Sequence, residues 1–281
     1  VSLLSVNARQ PLAAQVADWR RQGLTVGFVP TMGALHEGHC SLIRLASGAC
    51  DRVVVSVFVN PLQFGPDEDL DLYPRTLAAD LALAEQSGAD LAFTPSVAEI
   101  YPDGFCTTVT VAGLTDGLCG ASRPGHFDGV TTVVARLFGM VAPDRAYFGQ
   151  KDFQQVAVIR RMAADLALPI EIVACPIIRE ADGLALSSRN RYLTPAERLN
   201  AKAVPESLAA AEAAYVGGEC DVDRLRQLVA EWVIDHGGRI DYVAVVDPDT
   251  LAPQGRATTG SVLLMAVWIG VTRLIDNRIL P

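Results

Sequence analysis

One stretch constrains this chain before any other. Residues 24–29 read as a buried strand, Pro30 breaks it, Gly33 turns the chain, and an amphipathic helix starts near Gly38, with Leu42, Ile43 and Leu45 as its apolar contacts. A strand that feeds straight into a helix points unpaired N–H groups and a positive dipole end at whatever sits above the helix mouth. Phosphate is the usual occupant of such a place. Two imidazoles, His36 and His39, flank that mouth.

The pair resembles a zinc-protease helix only superficially. Its histidines are three apart rather than four, and Gly38 lies between them, so the two-histidine helical face is not formed. Two exposed loop histidines beside a core helix would be the bland alternative. The stretch Pro-Thr-Met-Gly-Ala-Leu-His-Glu-Gly-His, set after a clear buried strand, argues against it.

The β-branched run at 52–60 marks a strand buried on both faces of a parallel sheet. It ends in Asn60-Pro61-Leu62-Gln63-Phe64-Gly65, a loop at the carboxyl edge, where open α/β sheets place ligands. On position alone, Asn60 and Gln63 serve equally well to satisfy loop backbone. An acidic, solvated loop at 67–71 and then Tyr73-Pro74 follow.

The rest of the chain alternates in the same sense. A lead-in and a polar-faced helix (Leu12, Val16, Trp19) fill residues 1–23. Helices are expected at 75–87, 129–141 and 152–166, the last with Gln154 and Gln155 in its first turn. Strands are expected at 90–94, 107–112 (half-exposed), 145–148 and 170–178, the last broken at Pro176. This order predicts an α/β fold, a Rossmann-like doubly wound parallel sheet without a dinucleotide Gly-x-Gly-x-x-Gly. After Asn190 the texture changes to helices at 195–215 and 222–235 and strands at 241–246 and 261–267. The expected domains are therefore 1–178 and a smaller C-terminal α+β domain at 179–281.

Half of the 281 residues are hydrophobic and a fifth are charged, ordinary for a soluble α/β protein. The net charge of −9 argues against a nucleic-acid partner or an anionic membrane surface, so any positive charge for phosphates must be local. Lys151 and Lys202 are the only lysines among 23 basic residues, which makes Lys151 conspicuous. No basic-then-apolar leader is visible, and the longest apolar runs are too short to span a bilayer. Six scattered cysteines without a Cys-x-x-Cys pair fit reduced thiols, and a cytoplasmic location is expected.

Further clusters carry chemistry. Gly149-Gln150-Lys151-Asp152 sits where a strand becomes a helix, so backbone N–H groups and an ammonium face one crevice. Arg123-Pro124-Gly125-His126-Phe127 is a basic turn, and Ser187-Ser188-Arg189-Asn190-Arg191 is a junction loop rich in phosphate-binding groups. Arg179 and Glu180 just before that loop read as a structural ion pair.

The first stretch resembles the HIGH motif of the nucleotidyltransferases. Together with Phe-Val-Asn-Pro-Leu-Gln-Phe-Gly, Arg-Pro-Gly-His-Phe, Phe-Gly-Gln-Lys-Asp-Phe-Gln-Gln, Leu-Ser-Ser-Arg-Asn-Arg-Tyr-Leu and the tail Thr-Arg-Leu-Ile-Asp-Asn (272–277), it resembles the pantothenate synthetases, or pantoate–β-alanine ligases. The resemblance covers nearly the whole chain, densely over 24–194. It implies condensation of pantoate with β-alanine at the expense of ATP, releasing AMP and diphosphate through a pantoyl adenylate, with Mg²⁺ and a homodimer. It implies an ATP site of Met32, Gly33, Ala34, Leu35, His36, Glu37, Gly38, His39, Gly149, Gln150, Lys151, Asp152, Ile178, Leu186, Ser187, Ser188 and Arg189. His36, His39 and Lys151 would be catalytic, with His39 a proton donor and 186–189 the counterpart of the mobile KMSKS loop. Gln63 and Gln155 would hold pantoate, Gln63 also near β-alanine, with Asn60, Tyr73 and Arg123 beside them. No metal ligand is assigned. Cys119 departs from the acidic residue of many relatives, and Trp268 from a common basic one. Another nucleotidyltransferase of the superfamily, or a silent ATP-binding paralogue, are the rival readings; Gln63 and Gln155 argue against the first.

Overall fold

The computed structural model describes residues 3–65, 70–71 and 73–281. Residues 67–69 of the acidic loop lie outside the described residues. Strands β1 (Leu4–Val6), β2 (Val26–Thr31), β3 (Arg52–Val57), β4 (Leu91–Phe93), β5 (Arg145–Gly149) and β6 (Glu171–Cys175) form one sheet in the order β1-β4-β3-β2-β5-β6. Every pairing in it is parallel. Helices α1 (Arg9–Arg21), α2 (Glu37–Ala49), α3 (Leu77–Gln86), α4 (Val97–Ile100), α5 (Cys119–Ser122), α6 (His126–Val141) and α7 (Phe153–Asp165) accompany it.

Period-two alternation sorts side chains to two cores. Phe28, Val54, Ala146 and Phe148 point to the face covered by Leu12, Val16 and Trp19 of α1 and by Val134 and Phe138 of α6. Val29, Val53, Val55 and Tyr147 point the other way, onto Leu42, Ile43 and Ala46 of α2 and Ala84 of α3. Leu45 is 46% exposed, contrary to its expected core role, because the buried stripe of α2 runs through Cys40, Ile43 and Ala46.

Several elements differ from the sequence reading. Strand β2 does not stop at Pro30 but continues to Thr31. The Thr25 and Thr31 carbonyls bond toward β3 and the Val26 carbonyl toward β5, so alternation turns the Pro30 nitrogen to the β5 side. Among the described residues β2 pairs with β5 at Gly27 and Phe28 alone, so the missing N–H at Pro30 leaves no ladder bond unmade. Segment 107–112 alternates between exposed and buried over 109–112 but finds no partner strand among the described residues; the Val109 N–H donates to Thr132 Oγ1 (2.9 Å), and its carbonyl accepts from Thr131 on α6. The short β1, read only as a lead-in, pairs with β4.

The later residues form α8 (Pro195–Ala201), α9 (Ala203–Val216), α10 (Val222–Asp235) and an antiparallel sheet of β7 (Arg239–Val246), β8 (Val262–Ile269) and β9 (Thr272–Ile279). The single helix expected over 195–215 is two. Pro205 has no N–H for the Ala201 carbonyl, and the helix breaks at Lys202. One face of the small sheet packs on α9 and α10 through Leu208, Leu225, Val229, Leu263 and Met265. The other face meets α7, where Phe153 and Ala157 pack on Val246, Val262 and Leu264.

Candidate active site

In the order β4-β3-β2-β5-β6 the chain reverses direction across the sheet between β2 and β5, and the crevice beyond their carboxyl ends is where such sheets bind ligands. A cleft of about 280 Å³ opens there, and it continues into a second cavity of about 600 Å³ toward the small sheet. The cleft is lined by Met32, His36, Gly38, His39, Asn60, Gln63, Tyr73, Arg123, Gly149, Lys151, Asp152, Gln155, Ile178, Leu186, Ser187, Ser188 and Arg189. Turns far apart in sequence are thus brought together. Gly33, Ala34, Leu35, Glu37 and Gln150, expected beside ATP, are not among its lining residues. Leu35 is in the core, Glu37 pairs with Arg44, and the Gln150 amide turns to Asn277.

The turn after β2 is held in an unusual backbone shape, with Gly33 at φ +85° and Ala34 at φ +51°. Asp80 on α3, only 2% exposed, supports it from below. Its carboxylate accepts from the N–H groups of Ala34 (3.1 Å) and Leu35 (2.8 Å) and from Thr76 Oγ1 (3.2 Å). Asp80 is not legible in the sequence: nothing in an aspartate on an amphipathic helix marks it until the turn is folded above it. His36 then caps α2, and a Cβ on Gly38 would come within 2.9 Å of the His36 ring. Glycine is required there for the imidazole to lie over the helix mouth.

The rings of His36 and His39 lie against each other with centroids 4.1 Å apart and planes tilted by 32°. The His36 backbone N–H donates to His39 Nδ1 (3.3 Å), so the neutral His39 ring carries its proton on Nε2. Burial, reinforced by His36 and Lys151, pushes the His39 imidazole down to about 3. Burial and the Lys151 ammonium also lower His36. Both rings are neutral near pH 7.

The opposite wall is a hydrogen-bond relay. Tyr101 donates to Asn60 Oδ1 (2.8 Å), and Asn60 Nδ2 donates to Gln63 Oε1 (3.2 Å) and to the Gly129 carbonyl (3.0 Å). Desolvation raises the Tyr101 phenol to about 12, so it stays protonated and can donate. With its oxygen held by Asn60, Gln63 turns its amide NH₂ toward Met32 at the cleft, where Nε2 lies 3.0 Å from the Met32 sulfur. Gly129 lets α6 sit against this loop; a Cβ there would lie 2.2 Å from the Leu62 carbonyl oxygen. His126 of the basic turn donates from Nδ1 to the Gln63 carbonyl (2.8 Å) and meets Arg123 at Nε2 (2.9 Å), a holding role that its segment alone does not announce. Val130, Val133, Val134 and Leu137 of α6 add an apolar floor.

The junction loop is folded onto its own stem. Leu186 N–H bonds the Ile178 carbonyl (2.9 Å), Ser187 Oγ caps Arg189 N (3.3 Å), and Asn190 Nδ2 bonds Glu180 (2.6 Å). Arg179 and Glu180 do not pair with each other: Arg179 meets Asp276 and Glu180 meets Arg198. Cys119 lies outside the cleft wall just described, with its sulfur 3.2 Å from Tyr242 Oη and 3.5 Å from Arg273, which pairs with Asp241. Trp268 packs under Arg239. Among the described residues, no group of three His, Cys, Asp or Glu could hold a metal ion, and no helix is long and apolar enough to cross a membrane.

The family model for pantoate-beta-alanine ligase matches residues 5–279. The chain belongs to the pantoate–β-alanine ligase family. It is 54% identical over 275 residues to the pantothenate synthetase of Heliobacterium modesticaldum, covering 98% of each chain. The crystal structure of the Thermus thermophilus pantothenate synthetase superposes with a TM-score of 0.92 at 46% identity, covering 99% of both. A pantoate-beta-alanine ligase from Francisella tularensis, complexed with beta-gamma ATP and beta-alanine, matches at TM-score 0.80 and 32% identity over 99% of this chain and 97% of that one. The ligase is an α/β enzyme that joins pantoate to β-alanine, and the doubly wound sheet expected from the sequence is the sheet of this family.

Proposed function

We propose that this ligase makes pantothenate in two steps at the cleft between β2 and β5, consuming ATP and releasing AMP and diphosphate. The pantoate carboxylate attacks the α-phosphorus, the bond to diphosphate breaks, and the β-alanine amine then attacks the acyl carbon and displaces AMP. The observation that carries this reading is the convergence of the two strand-end turns, one bearing His36 and His39 and the other Lys151, opposite an oriented Gln63.

Both reactants of the first step are anionic, so charge moving onto the leaving diphosphate must be met by fixed donors. Lys151, Arg189 and the neutral imidazoles fill that role, with the mouth of α2 adding its dipole. The expectation of His39 as a proton donor narrows to a hydrogen-bond donor from Nε2–H, because a ring titrating at about 3 holds no spare proton near neutrality. Gln63 and Gln155 bind pantoate polar groups, and the valines of α6 meet its branched methyl groups. Asn60, Tyr73 and Arg123 frame that pocket. The backbones of Gly149–Asp152 and of Ile178 take the ribose, α-phosphate and adenine, and 186–189 closes over the triphosphate.

Mg²⁺ binds nucleotides through phosphate oxygens and water with one or two carboxylates rather than in an all-protein cage. Asp152 on the cleft wall fits as such a carboxylate, and the ion would add positive charge at the leaving diphosphate. We place the domain boundary at 178/179, with the nucleotide and pantoate groups on 1–178, and propose a cytoplasmic homodimer.

ATP–diphosphate exchange tests the reading. Exchange that requires pantoate but not β-alanine is expected; its absence in a folded protein that binds ATP would favour another nucleotidyltransferase reaction or a silent paralogue.

A further inference from the structure

The tail motif Thr-Arg-Leu-Ile-Asp-Asn has no part in the chemistry above, yet its last residue reaches the Lys151 turn. Asn277 on β9 is 1% exposed. Its Nδ2 donates to the carbonyls of Gln150 (2.9 Å) and Lys151 (3.0 Å), and its Oδ1 accepts from Gln150 Nε2 (3.2 Å). Both amide protons and the amide oxygen are therefore spent on one turn of three residues, Gln150–Asp152.

A trans peptide sets its C=O and N–H on opposite sides. With the carbonyls of Gln150 and Lys151 drawn to β9, the N–H groups of Lys151 and Asp152 face away from it. β9 is in turn anchored by Asp276, whose side chain is fully buried and takes both ends of the Arg179 guanidinium (2.7 and 3.1 Å). Asp276 Oδ1 also accepts from the Asn277 N–H (2.8 Å). Arg179 donates onward to the Gly183 carbonyl (3.0 Å) and pairs by backbone with Ala185, at the root of the loop that carries Ser187 and Arg189.

We infer that Asn277 is a positioning residue for the first step: from the small sheet it fixes the turn that aims Lys151 at the nucleotide phosphates. The inference rests on the role proposed above for Lys151. Its action is through backbone direction, so it changes how well Lys151 is aimed and not which groups are present.

A double-mutant cycle on pantoate-dependent ATP–diphosphate exchange tests it, with wild type, Lys151→Ala, Asn277→Ala and the double variant compared at saturating ATP and pantoate. Asn277→Ala is expected to slow exchange about tenfold in the wild-type background and by a clearly smaller factor once Lys151 is gone, because coupled groups are not additive. A merely structural loss would slow exchange by the same factor in both backgrounds, and that result overturns the inference, as does an Asn277→Ala protein with the wild-type rate. If Lys151→Ala itself leaves exchange unchanged, the role of Lys151 fails and the inference with it; a slowed Lys151→Ala with an additive Asn277→Ala sinks the inference alone. Should Asn277→Ala not fold, Asn277→Leu, close to asparagine in size, uncharged and without a donor for the two carbonyls, is expected to behave the same way in the cycle.

Discussion

Acidification should destabilise this enzyme through His39, by an amount set by its burial. In the folded protein the ring titrates at about 3, against an ordinary value of 6.5. At pH 7 the folded ring is free of the proton, while the unfolded ring is about one-quarter protonated. As the pH falls below 6.5, the unfolded chain takes up a proton that the folded chain refuses, so stability falls with pH until the folded value is reached. From pH 7 to pH 5 the loss is about 2 kcal/mol, and the same loss follows for any folded value below about 4. The assay is urea unfolding of wild type and His39→Gln at the two pH values. Glutamine keeps an acceptor for the His36 N–H while removing the titration, so the variant should lose about 2 kcal/mol less than wild type over that interval. His36, lowered in the same sense, remains in both proteins and cancels in the comparison. An identical loss in the two proteins would refute the claim that His39 is held neutral by the fold.

Three other outcomes are expected. Lys151→Ala should cut pantoate-dependent ATP–diphosphate exchange by about 10²–10³, the usual effect of removing one fixed donor, with little change in melting temperature. Tyr101→Phe, which takes away only the hydroxyl that donates to Asn60, should raise the pantoate KM by about three- to tenfold and leave the ATP KM alone, as steady-state kinetics will read. Asp80→Asn replaces one of two acceptor oxygens under the Ala34–Leu35 N–H groups with a donor; denaturation should show about 2–3 kcal/mol of lost stability, with weaker ATP binding because the His36 turn loosens.

Much of this molecule is written locally. The strand at 24–29, the valine run at 52–57 and the helix at 222–235 are legible because burial on a sheet or a helix face imposes a period of two or 3.6 on the residues themselves. The cleft residues were legible for a different reason: phosphate chemistry needs glycine turns, imidazoles and a rare lysine at strand ends, and those stand out in order along the chain. Where the local pattern lacked its partner, the reading failed. Segment 107–112 alternates like a strand but has two threonines of α6 as its hydrogen-bond partners, and Pro30 looks like a stop until the pairing of β2 with β5 is known to end at Phe28, before it.

Tertiary structure alone decided the supports beneath the site. Asp80, Tyr101 and Asn277 are ordinary residues in their own segments, 46, 41 and 127 positions away from the groups they hold in Ala34, Asn60 and Gln150. A hydrogen bond between residues so far apart leaves no periodicity behind, because its geometry is set by the packing of whole layers. The sequence determined which chemical groups this enzyme owns and which layers carry them. Folding decided which of those groups face one cleft, in which tautomer, and what holds them there.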